Sequence, residues 1–429
     1  MIKKRIKISV ICISLLLIML SSFLVSCSSR KGEAENPSEA NQGKYYVWID
    51  ASSSMGSLSS EAGIKKIIKT CRENGMDGII LDVKPLLGEV LYSSKVAPRL
   101  KEWKGTRINE KLDILKVLVE AGHQSGLKVM VSGNVLAEGH GIYKKGLAYS
   151  SHPDWASWIY HTKNGKPELK KITESGPKYL AALCNPLNPE VEEYEGKIFS
   201  ELAAQYPLDG IILDRVRYQG LEADFSDLSK KEFQSFLKGK KVKFPDDIYT
   251  YQKDTAGNYQ RKNGEYYSQW ILWRATVIHE FTRKLVADIK KANPKIPVGS
   301  YVGSWYETYY EYGVNWASTT YRNNAPWALK GYSATGTGEI FDFMAPGFFC
   351  FKGQDNTHME RAYANATTVV GDASKVYPVL MVEDYQKNPE IFKKVIKFTD
   401  AQSPVIIFFD YAGIDKVKGW PLIKQSIGK

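Results

Sequence analysis

Asp209-Gly210-Ile211-Ile212-Leu213-Asp214 is a short apolar run bounded by two acids, and it recurs unchanged as Asp77-Gly78-Ile79-Ile80-Leu81-Asp82. A continuous apolar run of this length, rich in β-branched residues, reads as a strand buried on both faces. Six further runs have the same character: Tyr45–Asp50, Leu127–Ser132, Pro297–Val302, Ile340–Met344, Tyr377–Glu383 and Pro404–Asp410. With Gly78–Lys84 and Asp209–Asp214 they make eight. Longer stretches with helical periodicity lie between them: Gly63–Asn74, Leu112–Ser125, Val191–Gln205, Tyr267–Ala292 and Asn388–Thr399. Eight buried strands alternating with helices predict an α/β fold, a parallel sheet closed into a (β/α)8 barrel (TIM barrel) over residues 44–429. The repeated hexapeptide falls on the second and fourth strands, which share interior layers in such a barrel, and it fixes the register. An open doubly wound sheet would carry a glycine-rich phosphate turn after the first strand, and Asp50-Ala51-Ser52-Ser53-Ser54 has no G-x-G-x-x-G.

The connections after strands three, four and five are long: Asn134 to Glu190, Arg215 to Tyr266 and Gly303 to Glu339. In a barrel these long βα loops gather on the C-terminal face, where active sites lie. The third loop is crowded with aromatic residues, among them Trp305, Tyr306, Tyr309, Tyr310, Tyr312, Trp316, Tyr321 and Trp327. Aromatic faces stack on the C–H faces of pyranose rings, so Trp305 and Trp316 are candidate sugar platforms. Half of the rings in this stretch are assigned to a loop core.

The first residues decide the compartment. Lys3, Lys4, Arg5 and Lys7 precede an apolar run, Ile8 to Leu20, and Leu24-Val25-Ser26-Cys27 has the form of a lipobox. This predicts a lipoprotein signal peptide over 1–26, lipidation of Cys27, and an exported chain anchored by lipid to a membrane of the cell envelope. Residues 27–43, poor in apolar side chains, read as a flexible tether. The formal charge is +11, and loss of the four leader cations leaves +7. That excess is scattered and forms no Lys/Arg stripe interleaved with aromatics, which argues against nucleic acid and leaves anionic lipid or an acidic glycan as partners. Beyond Cys12 and Cys27, the remaining Cys71, Cys184 and Cys350 are an odd, widely spaced set and read as buried thiols.

Acids mark the ends of the predicted strands: Asp50, Asp82, Asp214, Glu383, Asp384 and Asp410. Glycoside hydrolysis needs two carboxyl groups flanking the bond, one ionised as nucleophile or base and one protonated to assist the leaving group. Asp214 shares parity with Ile212 and is followed by Arg215 and Arg217, whose charge suits a nucleophile or base. Glu383, closing the seventh strand, is the first choice for the acid, and Glu307 the second. Asp82, Lys84, Asn134, Arg217 and Tyr218 are candidate substrate contacts. The six histidines include no H-x-H or H-E-x-x-H, so no metal site is predicted, and no organic cofactor is required. G-x-S-x-G and Walker patterns are absent.

The segment Asp209-Gly210-Ile211-Ile212-Leu213-Asp214-Arg215-Val216-Arg217-Tyr218 is similar to the strand-four motif of the glycosyl hydrolase-like 10 family, D-G-[IV]-x-[FL]-D-D-Y-x-Y. Val83-Lys84-Pro85 with Leu91-Tyr92-Ser93-Ser94 resembles its strand-two pattern, and His152-Pro153-Asp154-Trp155, Asn185-Pro186 and Phe341-Asp342-Phe343-Met344-Ala345-Pro346 resemble further segments. The resemblance implies a barrel hydrolase of polysaccharide or cell-wall glycan, with Asp214 matching the motif's first acid. Arg215 stands where the motif has a second Asp, which puts the role of that doublet in doubt. The competing class is a glycan-binding lipoprotein that keeps the barrel and has lost catalysis.

Overall fold

The computed structural model describes residues 43–163, 166–349 and 356–429. The signal peptide, Cys27, most of the tether and Cys350 lie outside the described residues. Eight parallel strands form the barrel: β1 (Tyr45–Ile49), β2 (Gly78–Lys84), β3 (Lys128–Asn134), β4 (Gly210–Asp214), β5 (Val298–Gly303), β6 (Phe343–Phe348), β7 (Val379–Met381) and β8 (Ile406–Phe409). Each pairs with its neighbours in sequence, and β8 pairs with β1 to close the ring. Helices Glu61–Glu73, Ile114–Gln124, Pro189–Gln205, Tyr267–Ala292 and Pro389–Gln402 lie where periodicity predicts them, within a few residues at each end.

The repeated Asp-Gly has a physical role at the N-terminal rim. Asp77 Oδ2 accepts from the backbone N of Lys44 and Tyr45 at 2.9 and 3.0 Å, and Asp209 Oδ2 accepts from Val129 N at 2.8 Å. Asp342 does the same for Val298 N at 2.8 Å. An acid just before β2, β4 and β6 therefore satisfies N–H groups that start the preceding odd strand. The glycines answer large interior side chains. A Cβ on Gly78 would lie 2.2 Å from the Tyr46 ring, and one on Gly210 would lie 2.5 Å from Met130 Cε. Tyr46, Trp48, Ile80, Met130, Ile212, Phe343 and Ile407 fill the barrel interior as one cluster.

Most strand limits shift by one to four residues from the sequence reading, and two of the shifts matter for the site. The sixth strand runs to Phe348 rather than Met344, through Pro346, a residue that ordinarily argues against a central strand. The seventh ends at Met381, and Val382–Tyr385 turns into a 3-10 helix, which takes Glu383 off the strand.

The long loops build a second, smaller core. The hairpin of Trp158–Lys163 with Lys166–Lys171, the helix Asp227–Phe236, and the hairpin of Tyr249–Lys253 with Tyr259–Asn263 pack on the start of Tyr267–Ala292. Tyr160, Phe225, Phe233, Tyr249, Trp270 and Trp273 fill it. Asp224 is buried and ties its parts together, accepting from Trp158 N at 2.7 Å, Asn185 Nδ2 at 3.0 Å and Ser229 Oγ at 2.6 Å.

Candidate active site

Alternation along each strand decides what reaches the barrel mouth. Asp82 follows Gly78 and Ile80 inward on β2, Asn134 follows Met130 and Ser132 on β3, and Asp214 follows Gly210 and Ile212 on β4. Asp82 pairs with Ser132 and Asp214 with Asn134, two residues further along β3, and the tilt of barrel strands turns that offset into one interior layer, with the acids on either side of β3. At about 4.8 Å per strand spacing, their backbones are about 10 Å apart and their side chains converge from there. Together with Asp50 they line a cavity of about 440 Å³.

The three acids have different surroundings. Asp50 caps the helix Ala51–Leu58, accepting from Ser53 N at 2.8 Å. Asp214 Oδ1 accepts from Arg215 N at 2.6 Å, and its Oδ2 lies 4.0 Å from Arg215 Nε. Arg215 takes a left-handed backbone at φ 55°, a conformation uncommon for a residue with a Cβ. Asp82 is buried, and its nearest polar neighbour is Asn134 Nδ2, at 3.3 and 3.5 Å from the two carboxyl oxygens. Burial, reinforced by the nearby Asp50 and Asp214, pushes its pKa well above the usual carboxylate range, against Arg215 and Lys84. These surroundings favour the protonated form of Asp82.

The aromatic loop divides as its packing dictates. Trp305, 44% exposed, lines the cavity with Tyr309 and Tyr312. Arg217 lines it as well, its guanidinium 4.8 Å from the Tyr312 ring centroid. Trp316 is fully buried, edge-on to Tyr306 at 5.2 Å, and belongs to the loop core rather than to a platform. Tyr218 is also fully buried, under the Arg274 guanidinium at 4.5 Å, so it is not a substrate contact.

Lys84 does not reach the mouth, contrary to the expectation that it contacts substrate, and the reason lies in the backbone. A bulge between Asp82 and Lys84 sets Lys84 opposite Gly133, on the outward face of the sheet. There it is wholly buried, with Nζ 2.5 Å from Glu138 Oε1 and 3.1 Å from Glu195 Oε1, donating also to the carbonyls of Asn134 and Val135. Burial alone would lower its pKa, and the two glutamates outweigh it and raise it. Lys84 therefore supports the β3 end instead of meeting substrate.

The two acids assigned to protonation also stand elsewhere. Glu307 is exposed and accepts from Asn365 Nδ2 at 2.7 Å. Glu383 lies 3.5 Å from Lys416 Nζ, and neither acid lines the cavity. Asp410 caps Tyr411–Lys416 and accepts from Ser53 Oγ at 2.7 Å. The sequence reading left Trp103, Lys104 and His140 unassigned, and all three line the cavity. They come from connections after β2 and β3 that carry no strand-end signal. His140 packs on Trp103 and Tyr143 with centroids at 5.4 and 4.7 Å. Burial, with Lys104 nearby, lowers its pKa.

A closed eight-stranded parallel barrel with carboxyl groups gathered at the C-terminal mouth is a glycosidase-type (β/α)8 barrel. The glycosyl hydrolase-like 10 model matches residues 45–324, and the chain belongs to that family. Over 326 residues it is 32% identical to an S-layer-related protein of Niallia circulans, a match covering 71% of this chain and 20% of that protein. The chain thus spans about a fifth of that relative's length. Among solved structures, the PgaB (BpsB) glycoside hydrolase domain from Bordetella bronchiseptica superposes with a TM-score of 0.60 at 12% identity, covering 89% of this chain and 98% of that one. A beta-galactosidase from Bacillus circulans sp. alkalophilus gives 0.56 at 12% identity, over 86% and 50% of the two chains. At such identities the shared property is the fold.

Proposed function

We propose that the chain is a glycoside hydrolase that cleaves a polysaccharide or cell-envelope glycan by a two-carboxylate mechanism, with Asp214 as nucleophile or base and Asp82 as acid. The observation that carries the reading is the pair itself: two acids line one cavity, and burial favours a proton on Asp82. Glycosidases work by one protonated and one ionised carboxyl group. Protonated Asp82 gives its proton to the glycosidic oxygen as that bond breaks. Asp214 meets the developing positive charge at the anomeric carbon, or takes a proton from the attacking water. Asn134 keeps Asp82 oriented, and Trp305 with Tyr309 offers apolar faces to the sugar rings. The structural neighbours, glycoside hydrolases among them, support a carbohydrate substrate. Attachment through a lipidated Cys27 would hold this activity at the envelope.

The test is release of reducing ends from a panel of envelope and storage polysaccharides by the purified chain, set against Asp214→Asn. Activity that survives the substitution contradicts the reading. Inertness of both, with retained glycan binding, favours a binding protein.

A further inference from the structure

One surface turn ends in apolar side chains that the fold leaves half exposed. After the strand Ala137–His140 the chain doubles back, and His140 N donates to the Lys145 carbonyl at 2.8 Å to close the turn. Its tip carries Ile142, 54% exposed, and Tyr143, 44% exposed. Turn tips ordinarily carry Gly, Asn, Asp or Ser. Gly141 N donates to the Leu180 carbonyl at 2.8 Å, and a Cβ on Gly141 would lie 1.9 Å from the Tyr179 carbonyl oxygen, so the turn is fixed against that backbone. Leu180 is itself 49% exposed. Ile142, Tyr143 and Leu180 are three of the six large apolar side chains exposed among the described residues. Single exposed apolar residues are ordinary, whereas a cluster marks a surface that meets something. Cations frame this one. Lys144 follows Tyr143 in a left-handed backbone at φ 49°, Lys104 Nζ lies 5.5 Å from the Tyr143 ring centroid, and Lys178 Nζ lies 5.1 Å from that of Tyr179. All three lysines are exposed, and none makes an ion pair with a described residue. Of the acids nearby, Glu138 is buried against Lys84, Glu102 accepts from Gly105 N at 3.0 Å, and Glu89 is half-buried near Lys145 and Lys101.

We infer that this turn docks on the surface of an anionic lipid bilayer, with Ile142, Tyr143 and Leu180 in the boundary between headgroups and acyl chains and Lys104, Lys144 and Lys178 on the headgroups. Interfacial binding adds buried apolar area to the attraction of cations for anionic lipid, and this patch offers both. Tyrosine suits that boundary, its ring apolar and its hydroxyl polar. Charge selects the occupant. A second copy docked patch to patch about a two-fold axis would bring like charges together, whereas an anionic bilayer neutralises them. Chain length permits the contact as well. From Cys27 to Gly43 the chain spans about 55 Å when fully extended, against about 20 Å for a barrel strand, so a bilayer holding Cys27 is within reach of this turn. The lysine run Lys238–Lys243 is the weaker surface. Its one exposed large apolar neighbour, Phe236, ends the helix Asp227–Phe236, and lysines are favoured at a helix C-terminus in any case. The inference stands apart from the hydrolase reading and from lipidation itself.

Co-flotation with vesicles tests it, using the chain without its leader and with Cys27→Ala, so that no acyl chain contributes. The vesicles are phosphatidylcholine alone and phosphatidylcholine mixed with phosphatidylglycerol. The expected result is at least tenfold stronger partitioning onto the mixed vesicles, weakened by added salt. The double variant Ile142→Ser with Leu180→Ser should lose about tenfold or more of that binding, and so should Lys144→Gln with Lys178→Gln, at about fivefold per lysine. Both should keep the thermal midpoint of the parent, because the replaced side chains are exposed. Phe236→Ser should bind as the parent does. Absence of binding to the mixed vesicles overturns the inference, as does equal binding to both kinds. A loss confined to one double variant, or to neither, also overturns it. A loss in Phe236→Ser moves the contact to the Lys238–Lys243 run and has the same consequence. Self-association in sedimentation that Ile142→Ser with Leu180→Ser abolishes, without vesicle binding, gives the surface to a second copy instead.

Discussion

Asp82 and Asp214 end the same hexapeptide, and their chemistry diverges because one is buried with a single amide beside it while the other lies against Arg215. For Asp82 the sign of the resulting pH effect follows from linkage. A carboxyl whose pKa is raised by folding binds its proton more tightly in the folded chain. Its contribution is therefore greatest at low pH and is lost as pH climbs from about 3.9, the unfolded value, through the folded one. Asp82→Asn should raise the thermal midpoint at pH 7, with the gain closing towards pH 3, and scanning calorimetry across that range decides it. A variant less stable than wild type at pH 7 would mean that the ionised form is the one the cavity holds. Turnover of Asp82→Asn should be slow on natural glycosides and recover on substrates with good leaving groups, which need less protonation. Glu383→Gln, outside the cavity, should stay within severalfold of wild type. Asp214 could be singled out in the sequence because strand parity and the following arginines mark it. The difference between Asp82 and Glu383 was not legible, since it depends on burial and on a strand that stops two residues short of Glu383.

At the scale of elements, hydrophobic periodicity carried the reading far, and Tyr267–Ala292 has the limits its pattern predicts. What periodicity cannot supply is a bulge. One extra residue between Asp82 and the Gly133 pairing turned Lys84 from the mouth into the helix interface. Its cluster with Glu138 and Glu195 packs β2, the β3 end and Pro189–Gln205 together. Removing one member of a buried ion cluster leaves uncompensated charge, so Lys84→Met should cost about 3–5 kcal/mol by denaturant unfolding. A loss within about 0.5 kcal/mol would show the cluster to be solvated. The aromatic loop makes a paired prediction. Trp316→Ala should cost about 3–5 kcal/mol, as aromatic truncation in a core does, with glycan affinity kept in whatever protein stays folded. Trp305→Ala should leave stability nearly unchanged and weaken glycan binding. The reverse assignment of the two losses contradicts the division of the loop. Composition alone announced an aromatic loop, and only the contacts of each ring separate core from surface.

For the whole molecule, the barrel was readable because eight strand-like runs and intervening helices leave few alternatives. The second core was not, because its parts are spread over three loops and share no repeat. The proposed membrane attachment rests on Leu24-Val25-Ser26-Cys27, and Cys27→Ala should abolish lipidation and detergent partitioning in a suitable bacterial host. An unchanged partition of the variant would exclude that anchor. The central claim is that this barrel breaks glycosidic bonds through Asp214. Its most direct test measures turnover and affinity together, for wild type and Asp214→Asn, on the glycan that the wild-type chain cleaves fastest. The substitution keeps the shape of the side chain and removes the charge that an oxocarbenium-like transition state requires. A fall in kcat of several orders of magnitude with Kd within a few-fold of wild type is the predicted result. A kcat within tenfold of wild type, in a folded variant that binds normally, would contradict it.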